Sequence, residues 1–242
     1  MSDDSCLVTY LSAYMELSET DDELIATLER DEREYLPDTE VYCRGEEMTE
    51  LHVVKHGWLY SSTDLADGRR HIVRTYHAGD LVGLVDLARP TVTTTLTSCT
   101  TACLCPFPRK HLGAIFRHSP RLAALLLALS ARDQVLLVDL LRAAARMSAK
   151  ERVIFLLLTY LHRLRVTNPS MESTFALPLT QTQIGDMLGL TNVSVSKALV
   201  ELETDGWLSR RRQEVTLHDI PDLVERVEYV DRFSKLDTDW FP

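Results

Sequence analysis

The chain has 242 residues, enough for one large domain or two ordinary ones, each with a sizeable core. With 45% hydrophobic and 26% charged residues it reads as a globular chain, and no stretch approaches the ~20 uninterrupted apolar residues that a membrane-spanning helix needs. The net charge of −10 at first argues against nucleic acid, but its distribution does not. Of 36 acidic and 26 basic residues, positions 1–50 hold 16 and 3, which leaves 20 and 23 in the remainder. The acid is confined to one end, where it reads as a solvated face, and the rest of the chain can meet a phosphate backbone. The acidic N-terminus lacks the basic n-region of a secretory signal, and five cysteines, an odd number, read as reduced thiols. The expected location is the cytoplasm, with no membrane partner.

In chain order, the first 35 residues are expected to be helical. Thr20 and Glu23 have capping-box spacing, and Leu24, Ile25 and Leu28 supply an apolar stripe. From residue 36 the pattern changes to short β-prone runs (VYC, LHVV, WLYSS, HIVRTYH, TTTLTSC, ACLC) separated by turn residues. Gly45, Gly57, Gly68 and Gly79 fall at intervals of 12, 11 and 11. Such spacing indicates a small antiparallel sandwich or barrel, and Asp67 with Gly68 is a hairpin signal. Pro106 and Pro108 are expected to close the β region.

A long helix is expected from Pro120 to Arg146. Leu122, Leu125, Leu129, Leu136, Leu140 and Ala143 fall at helical spacing, yet Leu126, Leu127, Val135, Leu137, Val138 and Leu141 make a second side apolar as well. A helix apolar on more than one side must be buried on more than one side. One side can pack on its own domain and the other on a second copy, with Leu125, Leu129, Leu136 and Leu140 as the expected dimer contacts. The alternative is the central helix of one large domain. Ser148 and Glu151 then form a capping-box pair that opens another helix.

Residues 179–217, LTQTQIGDMLGLTNVSVSKALVELETDGWLSRRRQEVTL, carry the most chemistry. Thr180 can cap a short helix bearing Ile184 and Leu188, which Gly189 ends and Leu190 anchors. Thr191 can cap a second helix with an inner face of Val195, Ala198, Leu199 and Leu202. Its outer face is Asn192, Val193, Ser196 and Lys197. Asn can pair with an adenine edge, Lys can reach guanine or phosphate, and Val can touch a thymine methyl, so these four are the expected base readers. Thr180, Gln181, Thr191 and Ser194 lie where helix starts can hold phosphates. Arg210, Arg211 and Arg212 are expected in the turn of a following strand pair, as the wing of a winged helix, and there to contact the DNA backbone. Gly185, Gly189 and Val195 match positions 5, 9 and 15 of the helix-turn-helix pattern.

With these residues in place, the chain resembles the bacterial Crp/Fnr transcription regulators over nearly its whole length. HAGDLVGLVDLA is similar to the family's Gly-Asp turn, MSAKERVIFLLLTYLHRL to the helix opening its DNA domain, and LTQTQIGDMLGLTNVSVSKALVELETDGWL to its helix-turn-helix. The resemblance implies an α+β fold: an N-terminal antiparallel β-roll of the jelly-roll, cyclic-nucleotide-binding-like type, a long dimerisation helix, and a C-terminal winged helix-turn-helix. It implies a non-enzymatic regulator acting as a homodimer on a two-fold operator in double-stranded DNA, with RNA polymerase as a candidate partner. The corresponding domains would be 1–119, 120–147 and 148–242. A protein-interaction or ligand-sensing module on the same fold is the alternative.

The sensor signatures of the family differ here. Its cyclic-nucleotide members carry Gly-Glu after the Gly-Asp turn and an Arg-Ser or Arg-Thr about ten residues on. This chain has Gly83 and Leu84, then Thr93, Thr94 and Thr95, and Arg89 lies several residues early. No cation is in place for a cyclic phosphate, so no cAMP response is expected. Gly83, Leu84, Val85, Thr93 and Thr94 are the expected pocket for an unidentified effector. Only Cys6 and the distant Cys43 lie near the N-terminus, so no iron–sulfur cluster is expected. Cys99, Cys103 and Cys105 share strand parity but read as small buried hydrophobes. His52, His56, His71 and His77 read as hydrogen-bonded or exposed residues rather than metal ligands, with a haem axial role left open.

Overall fold

The computed structural model describes residues 5–242. The chain divides into two compact units, one running to Ala131 and including Leu236–Pro242, the other spanning Arg132–Lys235.

In the first unit, helix α1 (Cys6–Ser12) starts where the Ser5 hydroxyl accepts the Val8 N–H at 3.0 Å. Helix α2 (Glu19–Ala26) starts at Ser18, and its capping box is Ser18 with Asp21. This corrects the expected Thr20–Glu23 pair: Ser18 has the extended backbone that a cap requires, while Thr20 already lies inside the helix. The helical stretch also ends sooner than expected. Arg33–Tyr35 forms strand β1 because it pairs with a distant segment, Arg33 opposite Leu104 and Tyr35 opposite Ala102.

Seven more strands follow: β2 (Glu40–Tyr42), β3 (Glu50–His56), β4 (Leu59–Asp64), β5 (Arg70–Tyr76), β6 (Leu81–Val82), β7 (Thr95–Ser98) and β8 (Ala102–Pro108). They form two four-stranded antiparallel sheets, ordered β1-β8-β3-β6 and β2-β7-β4-β5. Val54, Val82, Ala102 and Leu104 from the first sheet and Leu59, Tyr76 and Leu96 from the second close into one core, with Tyr35, Val41 and Tyr42 packed against it. This is the expected β-roll. Pro106 does not end it but lies within β8, opposite His52. The strand tolerates it because β1 covers β8 only from Ala102 to Leu104, and beyond that β8 is an edge where a missing N–H costs little.

After β8 come α3 (Lys110–His118) and α4 (Pro120–Arg146). On α4, Leu122, Leu125, Leu126 and Leu129 are buried, while Leu127, Val135, Leu137, Val138 and Leu141 are exposed. Leu125 and Leu129, expected to face a second copy, are thus already used inside the protomer, and Leu136 and Leu140 are half-buried.

The second unit holds the rest of α4, then α5 (Ala149–Thr167), β9 (Thr174–Ala176), α6 (Gln181–Leu188), α7 (Asn192–Thr204), β10 (Leu208–Arg211), β11 (Glu214–Leu217) and α8 (Ile220–Arg226). Ser148 and Glu151 form the expected capping box of α5. That helix packs on α7 and α8, and β10, β11 and β9 make a three-stranded antiparallel sheet. Among the described residues no helix is long and apolar enough to cross a membrane.

One turn of the roll has no room for a side chain. Gly57 sits at φ +90°, and a Cβ there would lie 2.5 Å from the Thr101 carbonyl oxygen and 2.6 Å from the Ala102 Cα, both backbone atoms. Gly57→Ala is expected to destabilise the roll by about 2–4 kcal/mol, combining left-handed strain with overpacking. A urea titration showing a midpoint unchanged from wild type would contradict this.

Candidate nucleic-acid interface

Two local caps shape the α6–α7 pair. The Thr180 hydroxyl accepts the Gln183 N–H at 3.2 Å, while the Gln183 side-chain carbonyl accepts the Thr180 N–H at 2.8 Å. The helix stops at Gly189, which takes φ +64°, and the Leu190 N–H bonds the Gly185 carbonyl at 3.0 Å. A Cβ on Gly185 would lie 2.6 Å from the Leu190 carbonyl oxygen, so only glycine admits the turn at this distance. Thr191 then caps α7 by accepting the Ser194 N–H at 3.1 Å, a bond worth about 1 kcal/mol.

This entry sets which face of α7 is wet. Val195, Ala198, Leu199 and Leu202 are buried, as are Ile184 and Leu188 on α6. Asn192, Val193 and Lys197 are exposed and Ser196 is half-buried. Val193 is 78% exposed, an apolar side chain held in water on the first turn of a helix among polar neighbours. The Glu201 carboxylate lies 3.9 Å from the Lys197 ammonium. Thr180 and Thr191 are exposed at the two helix starts, with Gln181 and Ser194 half-buried beside them.

The arginines are arranged differently from expectation. The β10–β11 register sets Leu208 opposite Leu217, so that Leu208, Val215 and Leu217 all face the core. That register leaves a two-residue turn of Arg212 and Gln213, with Arg212 at φ +57°. Arg211 is the last strand residue, opposite Glu214, and Arg210 lies within the strand. Arg210 is engaged: its Nε and Nη2 donate to the two carboxylate oxygens of Glu203 on α7, at 2.9 and 2.8 Å. Glu203, which the sequence reading missed, thereby ties the strand pair to the helix. The only signal for it was an acidic residue seven positions before an arginine.

The sensor residues also separate. Leu84–Asp86 is a 3-10 turn entered through Gly83. Its tight winding turns Val85 out into solvent, away from the side expected to face an effector, and Asp86 inward. One Asp86 oxygen accepts both the Thr93 N–H at 3.1 Å and the Thr93 hydroxyl at 2.7 Å. Leu84, Thr93 and Thr94 are half-buried. Near this site Tyr42 and His52 approach with ring centres 6.0 Å apart. Burial, with the Arg33 charge, pushes the His52 imidazole down to about 4, so the ring is neutral. Cys99 falls in the turn after β7, so it does not share a strand with Cys103 and Cys105. Burial raises all three thiols, and no group of three His, Cys, Asp or Glu among the described residues is placed to hold a metal ion.

The Arg210 guanidinium holds the Glu203 carboxyl below its ordinary value of 4.5. The pair therefore stabilises the unit fully above that pH and ceases to do so as pH falls through the folded value. Because both groups are about a third exposed, less than about 1 kcal/mol is at stake. Glu203→Gln should remove this component from the acid limb of a stability–pH curve and leave pH 7 stability slightly lower. An unchanged acid limb would contradict the assignment.

Comparison with known proteins agrees with this geometry. Residues 32–119 match the cyclic nucleotide-binding domain model and residues 151–226 the Crp-like helix-turn-helix domain model. The chain is 30% identical over 211 residues to the transcriptional activator protein FnrL of Cereibacter sphaeroides, covering 85% of this chain and 84% of that one. It is 28% identical over 166 residues to the nitrogen fixation regulation protein FixK of Bradyrhizobium diazoefficiens, covering 69% of each. Among solved structures, FixK2 from Bradyrhizobium japonicum superposes with a TM-score of 0.71 at 27% identity, covering 81% of this chain and 96% of that one. The two domain matches flank α4 in the order the β-roll and the capped helix pair require, and the chain belongs to the Crp/Fnr family of transcription regulators.

Proposed function

We propose that this regulator acts as a homodimer whose two α7 helices enter successive major grooves of a two-fold operator. The observation that carries the reading is the wet face of α7, where Asn192, Val193, Ser196 and Lys197 stand on a helix whose opposite face is buried. In the proposed complex these four read bases, and helix starts at Thr180, Gln181, Thr191 and Ser194 meet phosphates. Arg211 and Arg212 at the strand turn add backbone contacts, whereas Arg210 serves through Glu203. Catalysis has no part in this reading. RNA polymerase is the proposed protein partner, the cytoplasm the proposed location, and no membrane is involved.

The dimer seam is proposed on the uncovered side of α4. Leu127, Ala131, Gln134, Val138, Leu141 and Ala145 are all exposed and repeat at alternating steps of four and three, the spacing of a coiled-coil seam. Leu127, Val138 and Leu141 are 61, 63 and 69% exposed, more apolar surface than a solvated helix needs. With half-buried Leu136 and Leu140 at its edge, this set replaces Leu125 and Leu129 as the contact. The domains proposed are those of the sequence reading, with 120–147 as the joining helix.

For the sensor, we propose a signal other than a cyclic nucleotide. The buried Asp86 carboxyl already takes both donors of Thr93, and Leu84 and Thr94 add no cation for a cyclic phosphate. Leu84 and Thr94 remain in the proposed effector pocket. Titration calorimetry with cAMP should give no saturable heat at micromolar concentrations, and a saturable isotherm would overturn this part.

Selection from randomised duplexes should enrich a symmetric site with half-sites about 34 Å apart. Asn192→Ala should weaken binding by ~1–3 kcal/mol and relax specificity at one position per half-site. Lys197→Ala should weaken binding and lower the slope of log K against log salt. Wild-type footprints from both variants would exclude α7 as the reader, and a salt-independent interaction would favour the protein-binding alternative. Leu141→Asp should raise the dimer dissociation constant by the equivalent of about 3–6 kcal/mol, because two copies change together. A dimer persisting at nanomolar concentration in ultracentrifugation would refute the seam.

A further inference from the structure

Arg152 lies in the first turn of α5, where a cation opposes the partial positive charge of its own helix start. Local preference therefore does not account for it, and its contacts do. Its Nε donates to the Met147 carbonyl at 3.0 Å and its Nη2 to the Ala144 carbonyl at 2.5 Å, at the C-terminal end of α4. Its Nη1 donates to the Leu188 carbonyl at 3.2 Å, at the C-terminal end of α6. One planar fork thus joins the ends of two helices whose last carbonyls have no partner within their own helix. Leu188 directly precedes Gly189, whose turn sets the entry of α7.

Other ties hold α4 in this unit but reach elsewhere. Arg142 bonds the Glu228 carboxylate and carbonyl at 3.3 and 3.0 Å, Arg232 bonds Asp139 at 3.0 Å, and Arg132 lies 5.1 Å over the Phe233 ring. These bind the helix to the segment after α8. The Arg152 fork runs from the joining helix to the helix-turn-helix itself.

We propose that Arg152 is a positioning residue that transmits the direction of α4 to the reading helix, and so sets the half-site spacing that the dimer accepts. The inference rests on the dimeric reading proposed above. It predicts a change in spacing preference, which a residue that merely stabilises the unit would not produce. Lysine keeps the charge but, as a compact donor, does not span both helix ends.

The test uses the full-length protein and its selected operator, with spacers lengthened and shortened by single base pairs. Arg152→Gln should lose roughly tenfold on the best spacing and should flatten the preference between spacings. Arg152→Lys should fall between Gln and wild type. The midpoint of thermal unfolding, measured alongside, separates folding from positioning, and Arg152→Lys keeps the test open if the Gln variant fails to fold. A wild-type spacing profile in both variants would overturn the proposal, as would a uniform loss across all spacings. If the wild-type protein itself binds no symmetric site, the dimeric reading fails, and this inference fails with it. If wild type binds and only the profile stays unchanged, the role of Arg152 alone is refuted.

Discussion

A helix with two apolar sides cannot satisfy both inside one small protomer, and α4 is such a helix. Its buried side, Leu122, Leu125, Leu126 and Leu129, belongs to the chain's own packing. Its other side leaves Leu127, Val138 and Leu141 in water, at the repeat that fits a second identical helix. The unfavourable hydration of that stripe is the physical drive toward pairing in the proposed assembly. Two-fold symmetry of the bound DNA would follow from two-fold symmetry of the rod. The division between the compact units falls at Ala131 and Arg132, within this same helix.

The proposed recognition surface is built from short-range chemistry. Threonine hydroxyls take orphan N–H groups at the starts of α6 and α7, and glycine admits the close approach between them. None of these contacts touches a base in the proposed complex. Together they decide which residues of α7 stay dry and which stay wet. Glu203 and Arg210 extend the same logic to the strand pair, and Arg152 extends it to α4.

The β-roll keeps the family's architecture around side chains of its own. Two sheets close over a core of Val54, Leu59, Tyr76, Val82, Leu96 and Leu104, and the 3-10 turn remains at Leu84–Asp86. What that turn presents inward is a carboxylate already satisfied on one oxygen by Thr93. A neutral His52 and a half-buried Tyr42 stand nearby.

The elements written as local patterns were legible directly. The capping box at Ser148, the extent of α4, the turn at Gly189 and the inner face of α7 each depend on residues within one or two helical turns of one another, so spacing alone specified them. Spacing misled where a distant partner decided the outcome. Arg33–Tyr35 became a strand by pairing with Ala102–Leu104, and Pro106 was tolerated inside β8 by the shortness of that same neighbour. The winding of a 3-10 turn exchanged Val85 for Asp86 in the sensor, and strand register moved Arg210 from the tip to an ion pair with Glu203. The residues of one chain thus determined by themselves where helices begin and end and which sides are apolar, because those are properties of neighbours in sequence. Which buried polar groups meet, which arginine spans two helix ends and which leucines remain wet were decided only by tertiary packing, because they depend on segments that sequence separation hides from one another.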